Sequence, residues 1–200
     1  CARTITIEGA EVMAQRVSYA GELGWELYAP PQRATQVWDM LMAAGQEYGI
    51  EVGGYKVLDS LRLEKGYRYF TADVTPLENP YEAGLGFCVR LEKGDFIGRE
   101  ALVAAKAKDP QRKLCTLVLD GEDYVTLYGG EAVYADGRVL SRVRSGGYGY
   151  TLKRNIAYAH LPSELSRVGT RLEVEIFDQR LGAEVTPTVL FDPKNERLRA

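Results

Sequence analysis

The chain has 200 residues, of which 46% are apolar and 26% are charged. This composition is typical of a globular protein and excludes a disordered, collagen-like or coiled-coil chain. The formal net charge is −3, from 25 Lys+Arg and 28 Asp+Glu, and no basic stripe is present. We therefore expect no nucleic acid partner and no anionic membrane surface as partner.

The sequence offers few metal ligands and no disulfide pattern. Cys1, Cys88 and Cys115 form an odd set without CxxC spacing, and His160 is the only histidine, which predicts no zinc site and a reducing, cytoplasmic setting. No apolar run is long enough to span a bilayer, and no signal-peptide pattern opens the chain, so we expect a soluble protein. Because the chain opens with Cys1 and a strand-like TITI at 4–7, we expect a fragment, a processed chain or a shifted numbering.

Helical and strand-like patterns alternate over the first half of the chain. Residues 15–19 and 25–28 are strand-like on either side of the turn GELG at 21–24, which predicts a β-hairpin. Apolar residues at helical spacing predict helices over 32–48 and 54–65, the second with Gly66 as its C-cap glycine.

The second half changes to short strand-like runs. A strand is predicted over 82–91, a short helix over 99–106, and a domain boundary near 108–112. Further strands are predicted at 113–119, 131–134, 138–143, 155–161, 171–177 and 184–190. We therefore predict an α+β fold, an antiparallel sheet with helices, over 1–110, followed by an all-β barrel or jelly-roll-like domain over 111–200.

Three common motifs of nucleophilic catalysis and nucleotide binding are absent from the sequence. The P-loop, G-x-S-x-G and a complete G-x-G-x-x-G do not occur. His160 is interpreted as a structural residue at a strand end, and Cys88 as a buried, inert thiol in an apolar strand. The segment SGGYGY at 145–150 is interpreted as turn geometry, with a glycine-rich ligand loop as the alternative.

The segment YAGELGWE at 19–26 is the strongest candidate for chemistry. In the predicted hairpin Tyr19 and Glu26 lie opposite each other and point to the same side. The Glu26 carboxylate could then accept two parallel N–H bonds from a planar amide-plus-amine edge, as pterins and guanines present, while an aromatic ring covers the face of the ligand. In the alternative interpretation Glu22 and Glu26 are solvated turn residues and Trp25 belongs to the core.

This segment resembles the Y-x-G-E-x-G-x-E signature of the glycine cleavage T protein (aminomethyltransferase) family. Four more segments are similar to family motifs in the same order. They are DSLRLE at 59–64, PYEAGL at 80–85, KGDFIGREAL at 93–102 and the S-G turn at 145–146. The residues of these motifs are most similar to those of the family branch that is fused to flavin-dependent dimethylglycine and sarcosine dehydrogenases and oxidases.

The resemblance implies the C-terminal portion of a tetrahydrofolate-dependent aminomethyltransferase of glycine catabolism, with an incomplete T-protein folate-binding fold. It implies folate binding by Glu26, which holds the pterin edge, by Tyr19, which borders the folate, and by Phe87, which packs on it. Implied partners are folate, a small amine or aminomethyl donor, and either a lipoyl carrier protein or a flavoprotein domain. The alternatives are the folate portion of an FAD-dependent dimethylglycine or sarcosine dehydrogenase and a non-catalytic folate-binding regulatory protein.

The chain departs from the family pattern at two points. Leu58 stands where T proteins often carry a folate-binding arginine, and Arg62 is as well explained by a structural ion pair with Asp59 or Glu64. The family's catalytic aspartate lies in the first half of the fold, so we expect no catalytic residue in this chain. We also expect an exposed apolar face on the α+β part, leading to association or instability, and an inactive fragment.

Overall fold

The computed structural model describes residues 2–200. They form two compact units, one comprising the residues up to Leu61 together with Asp192–Ala200 and the other comprising Arg62–Phe191. A three-stranded sheet with helices is followed in the chain by a closed six-stranded barrel. This order confirms the predicted α+β fold with a C-terminal all-β barrel, while the division into 1–110 and 111–200 stays a prediction.

The first unit is built on an antiparallel sheet in the order β1-β2-β3. Its strands are β1 (Ala2–Ile7), β2 (Ala10–Gln15) and β3 (Glu26–Tyr28). Strand β2 buries every second residue, among them Val12, because alternate side chains point to opposite faces of a sheet. One face of the sheet therefore belongs to a small core, and the other is open.

Helix α1 (Ala34–Gly45) covers the buried face of this sheet. Its Val37 packs in one apolar cluster with Val12. Short 3-10 turns at Pro31–Arg33 and Gln46–Tyr48 extend it at both ends, which confirms the helix predicted over 32–48. A short helix α4 (Glu196–Arg199) closes the chain.

Helix α2 (Val57–Glu64) ends as the sequence predicts. Gly66 has a left-handed φ of +75°, its N–H bonds the Leu63 carbonyl at 3.2 Å, and the Tyr67 N–H bonds the Arg62 carbonyl at 2.8 Å. These two bonds form a Schellman motif, which a glycine makes at little steric cost.

The strand predicted over 82–91 is wrong, because the chain makes a capped helical turn there. The Asn79 side-chain oxygen accepts the N–H groups of Tyr81 at 2.9 Å and Glu82 at 3.1 Å. The Glu82 carboxylate accepts the Asn79 N–H at 3.0 Å in return, which is the reciprocal pattern of a capping box. Gly84, with φ +67°, then ends the turn.

The barrel closes in the order β4-β7-β6-β5-β8-β9. Helix α3 (Arg99–Lys106), which confirms the helix predicted at 99–106, leads into it. The strands are β4 (Arg112–Leu119), β5 (Ala132–Ala135), β6 (Arg138–Gly149), β7 (Arg154–Pro162), β8 (Arg171–Ile176) and β9 (Gln179–Thr186). Their inward residues form the main core of the second unit, with Leu117, Val133, Ala157, Leu161 and Val174 fully buried.

The last barrel strand lies earlier in the sequence than predicted. Strand β9 begins at Gln179, which pairs directly with Ile176, instead of running over 184–190. Phe177, between these partners, takes a left-handed φ of +55° and so allows a tight turn that its residue type does not favour. The pattern of apolar residues could not indicate this turn.

The glycine-rich segment at 145–150 is also different from the prediction, because it lies mainly inside β6 and not at a turn. A Cβ added to Gly149 would lie 2.8 Å from Oε1 of Glu64, and one added to Gly147 would lie 3.3 Å from Cδ1 of Leu63. These glycines therefore let the end of α2 lie against the strand. Neither turn geometry nor a ligand loop is needed to explain them.

The first unit exposes large apolar side chains, among them Trp25, Trp38 and Tyr55. This agrees with the expected exposed apolar face, whereas association or instability as its consequence stays a prediction. No helix among residues 2–200 is both long and apolar enough to cross a lipid bilayer.

Candidate functional site

Glu26 lies on the open face of the three-stranded sheet. It begins β3 and pairs with Gln15 of β2, while Tyr28 pairs with Met13. Since Val12 points into the small core, the alternation along each strand places Glu26 and Tyr28 together on the opposite face. The Glu26 side chain is exposed there, so its carboxylate is accessible to a ligand.

Tyr28 orients this carboxylate. Its hydroxyl donates to Oε2 of Glu26 at 2.5 Å. This hydrogen bond and the carboxylate charge raise the pKa of the Tyr28 phenol, so the group stays a proton donor at neutral pH. The sequence interpretation did not include Tyr28, although two residues separated by one position in a strand share a face.

The predicted pairing of Tyr19 with Glu26 is wrong. Strand β2 ends at Gln15, and Tyr19 lies in the connection at 16–25, half-buried. The Ser18 hydroxyl accepts the backbone N–H groups of Ala20 at 3.3 Å and Gly21 at 3.1 Å. This local turn competes with strand pairing, and for this reason the strand predicted over 15–19 does not form.

The connection is fixed by the C-terminal helix of the same unit. The Leu23 N–H bonds the Arg197 carbonyl at 3.1 Å, and the Arg197 guanidinium donates to the Glu22 carboxylate at 3.3 Å. Trp25 is 57% exposed instead of belonging to the core, as the alternative interpretation had it. An exposed indole thus precedes the exposed carboxylate of Glu26.

Phe87 belongs to the second unit and not to the unit that holds Tyr19 and Glu26. It lies in a 3-10 turn at Gly86–Cys88. The residue is 79% exposed. The ring is therefore accessible for apolar contact with a planar ligand.

Arg62 forms a buried ion pair with Asp73, whereas the sequence suggested Asp59 or Glu64 as the partner of a structural pair. Its Nη1 lies 2.6 Å from Oδ2 of Asp73, with both side chains buried. The Glu64 carboxylate instead accepts the N–H groups of Thr151 at 2.8 Å and Leu152 at 3.1 Å. The sequence could not indicate these partners, because they are distant along the chain.

The remaining candidate chemical groups are unsuited to catalysis. His160 is buried near the end of β7, the strand-end position that the sequence predicts. Cys88 was predicted to be buried but is exposed, because its segment is a turn and not a strand. Burial raises the pKa of the Cys115 thiol to about 11, so this group stays protonated. Among residues 2–200 no cluster of metal-binding side chains occurs.

Two domain models of one family match the chain. The model of the GCVT N-terminal domain matches residues 1–93, and that of the glycine cleavage T-protein C-terminal barrel domain matches residues 112–192. Human mitochondrial dimethylglycine dehydrogenase is 38% identical over 200 residues, an alignment that covers 98% of this chain and 23% of the dehydrogenase. The aminomethyltransferase of Symbiobacterium thermophilum is 36% identical over 198 residues, 98% of this chain and 52% of that protein.

A solved structure has the same fold. The crystal structure of the glycine cleavage system aminomethyltransferase T from Bartonella henselae superposes with a TM-score of 0.81 at 25% identity, covering 90% of this chain and 50% of that one. The chain thus spans between about a quarter and a half of the length of these relatives. The two domain models together match most of the chain, and an aminomethyltransferase is 36% identical to it over 98% of its length, so the chain belongs to the glycine cleavage T-protein (aminomethyltransferase) family.

Proposed function

We propose that this chain is the tetrahydrofolate-binding portion of an enzyme that transfers a one-carbon unit from an aminomethyl or N-methyl group to folate. The observation that carries this proposal is the exposed Glu26 carboxylate on the open face of the sheet, held by Tyr28 within the segment that resembles the family signature. A carboxylate on an accessible surface can accept two parallel N–H bonds from a pterin edge.

Each proposed binding residue has a separate role. Glu26 accepts the pterin N–H groups, and the Tyr28 hydroxyl keeps the carboxylate oriented. Tyr19 borders the folate, and the exposed Phe87 ring supplies apolar contact. Bound tetrahydrofolate supplies the nitrogens that capture the one-carbon unit, while these residues of the chain bind and orient it.

The donor and the partner domains belong to the proposal as well. A small amine or aminomethyl compound is the proposed donor, with a lipoyl carrier protein or a flavoprotein domain as partner. The second candidate, the folate portion of a dimethylglycine or sarcosine dehydrogenase, is supported by the 38% identity to human dimethylglycine dehydrogenase. The cytoplasmic setting stays a prediction, and that relative is mitochondrial by name.

Calorimetric titration of the full chain with 5-formyltetrahydrofolate tests the proposal. Glu26→Gln removes the charge and one strong acceptor, so we expect binding to weaken about 10- to 100-fold, since hydrogen bonds to charged groups contribute about 1.5–3 kcal/mol. Glu11→Gln is the matched control, because Glu11 is an exposed carboxylate on the same face of β2. Absence of saturable binding, or equal affinities of the two variants, would contradict the proposal.

A further inference from the structure

A cavity of about 650 Å³ opens in the second unit beside strands β6 and β7. Three arginines line it, Arg112, Arg142 and Arg144, together with His160 and the Ser141 hydroxyl. Among the described residues that line it there is no carboxylate. The lining is therefore suited to an anion and not to a cation.

Arg142 and Arg144 supply the positive charge of this cavity. A β-bulge in β6 leaves Arg144 without a partner in the register, between the pairs that Val143 and Ser145 make with β7, and bulges of this kind redirect a side chain. The Arg144 Nε donates to the Ala72 carbonyl at 2.7 Å, which leaves the rest of the guanidinium for a ligand. The Arg142 side chain is exposed and makes no hydrogen bond or ion pair with residues 2–200.

Arg112 contributes much less net charge to the cavity. Its guanidinium lies 3.1 Å from the Glu78 carboxylate and 3.9 Å from that of Glu82. These two carboxylates offset its charge locally. The attraction for an anion therefore comes mainly from Arg142 and Arg144.

His160 adds a second, independent sign of a ligand. Its side chain is buried, with the residue 6% exposed, and its Nε2 lies 3.0 Å from the Asp73 carbonyl oxygen. A carbonyl oxygen only accepts, so Nε2 carries the proton, and burial lowers the pKa of the imidazole so that the ring is neutral. Nδ1 is then an acceptor, and it has no hydrogen-bond partner among the described residues. An unpaired buried acceptor is costly and calls for a donor.

We propose that this cavity binds a small oxyanion that carries its own O–H donor, with hydrogen phosphate as the simplest member of the class. The charged oxygens would bond the guanidinium groups of Arg142 and Arg144, and the O–H would donate to Nδ1 of His160. This inference goes beyond the proposed folate function and depends on residues of the second unit alone.

Inorganic phosphate is the first probe, and sulfate is the matched anion without a proton donor at neutral pH. Because His160 is the only histidine, ¹⁵N-histidine labelling of the full chain reports on this ring alone in the NMR spectrum. We expect saturable phosphate binding that shifts the Nδ1 signal. Sulfate should bind at least about tenfold more weakly, because it lacks the O–H that donates to Nδ1.

Two arginine variants are then titrated with phosphate in the absence of folate. Arg142→Gln should weaken phosphate binding about tenfold, whereas Arg138→Gln, an exposed residue of the same strand that does not line the cavity, should leave it unchanged. Neither Arg142 nor Arg138 makes a side-chain hydrogen bond or ion pair with residues 2–200, so both variants should keep the spectrum of the folded parent. The proposal is overturned if phosphate does not saturate, if sulfate binds as tightly, or if the two variants bind phosphate equally.

Discussion

Arg62 and Asp73 form a buried ion pair in which Nη1 lies 2.6 Å from Oδ2 and the two side chains are 4% and 0% exposed. The Asp73 carboxylate also accepts the backbone N–H of Tyr69 at 2.7 Å and the hydroxyl of Ser145. Its backbone carbonyl contacts His160. The pair thereby connects the end of α2 with barrel strands β6 and β7.

Removing one partner of this pair should destabilise the protein strongly. Arg62→Met leaves the Asp73 charge buried without its cation, and breaking a buried pair in this way costs about 3–5 kcal/mol. Urea unfolding followed by circular dichroism measures the loss. Arg171→Gln, which removes an exposed arginine that pairs with Asp120, is the control and should change the unfolding midpoint little. Equal midpoints for the two variants would contradict this interpretation.

The contact between β6 and α2 gives a second stability prediction. A Cβ at Gly149 would lie 2.8 Å from Oε1 of Glu64, the atom that accepts two backbone N–H bonds. Gly149→Ala should therefore lower the free energy of unfolding by about 1–3 kcal/mol, the usual cost of overpacking. Gly53→Ala, at a position with open space around it, should be close to neutral. A Gly149→Ala variant as stable as the Gly53→Ala variant would refute the close approach.

Local signals explain which parts of the fold the sequence predicted. The helix over 54–65 and its C-cap at Gly66 were predicted because apolar spacing and a terminal glycine act within one or two turns of chain. The strand predicted over 82–91 is wrong because Asn79 and Glu82 cap a helical turn there, and this N-x-x-E spacing is a local signal for a helix start. The role of the glycines in β6 depends on α2, which is distant along the chain, and no local pattern could predict it.

In the candidate site, too, some features follow from local sequence signals and others do not. The position of Glu26 on a strand beside a glycine-rich turn followed from the sequence. The bend at Ser18, which removes Tyr19 from the strand, depends on a hydroxyl-to-backbone bond that competes with pairing. The Tyr28 contact was predictable from the two-residue period of a strand.

The bond between Tyr28 and Glu26 predicts a graded effect on folate binding. Tyr28→Phe removes the hydroxyl that orients the carboxylate but leaves the charge of Glu26 in place. We expect 5-formyltetrahydrofolate to bind about 3- to 10-fold more weakly, because a net hydrogen bond contributes about 0.5–1.5 kcal/mol. Calorimetric titration of the Tyr28→Phe and Glu26→Gln variants compares the two losses of folate affinity, and we expect the loss to be smaller for Tyr28→Phe. A Tyr28→Phe affinity equal to that of the parent would mean that the hydroxyl does not orient the site.

The two described cysteines should differ in reactivity. Cys88 is exposed, whereas Cys115 is buried and the pKa of its thiol is raised to about 11. Because only the thiolate reacts, iodoacetamide at pH 8 should label Cys88 in the native protein and Cys115 only after unfolding. Peptide mass mapping identifies the labelled residue in each state. Labelling of Cys115 under native conditions at the rate of Cys88 would contradict the burial of β4.

His160 predicts a loss of stability in mild acid. Burial lowers the pKa of its imidazole, with Arg112 and Arg144 acting in the same direction and Glu78 and the Asp73 carbonyl opposing them. The unfolded chain therefore takes up this proton first as the pH falls below about 6.5, the ordinary value for histidine, and the free energy of unfolding decreases until the pH reaches the lower pKa of the folded state.

Urea unfolding between pH 8 and pH 5 measures the free energy of unfolding of the parent and of the His160→Gln variant. In that variant the side-chain amide can keep a donor to the Asp73 carbonyl but does not titrate. The parent should lose stability more steeply than the variant below pH 6.5, and the two profiles should run parallel above it, where the imidazole is neutral in both states. Parallel profiles over the whole range would mean that the imidazole titrates alike in the folded and unfolded chain, and the neutral ring assigned to the cavity would then be wrong.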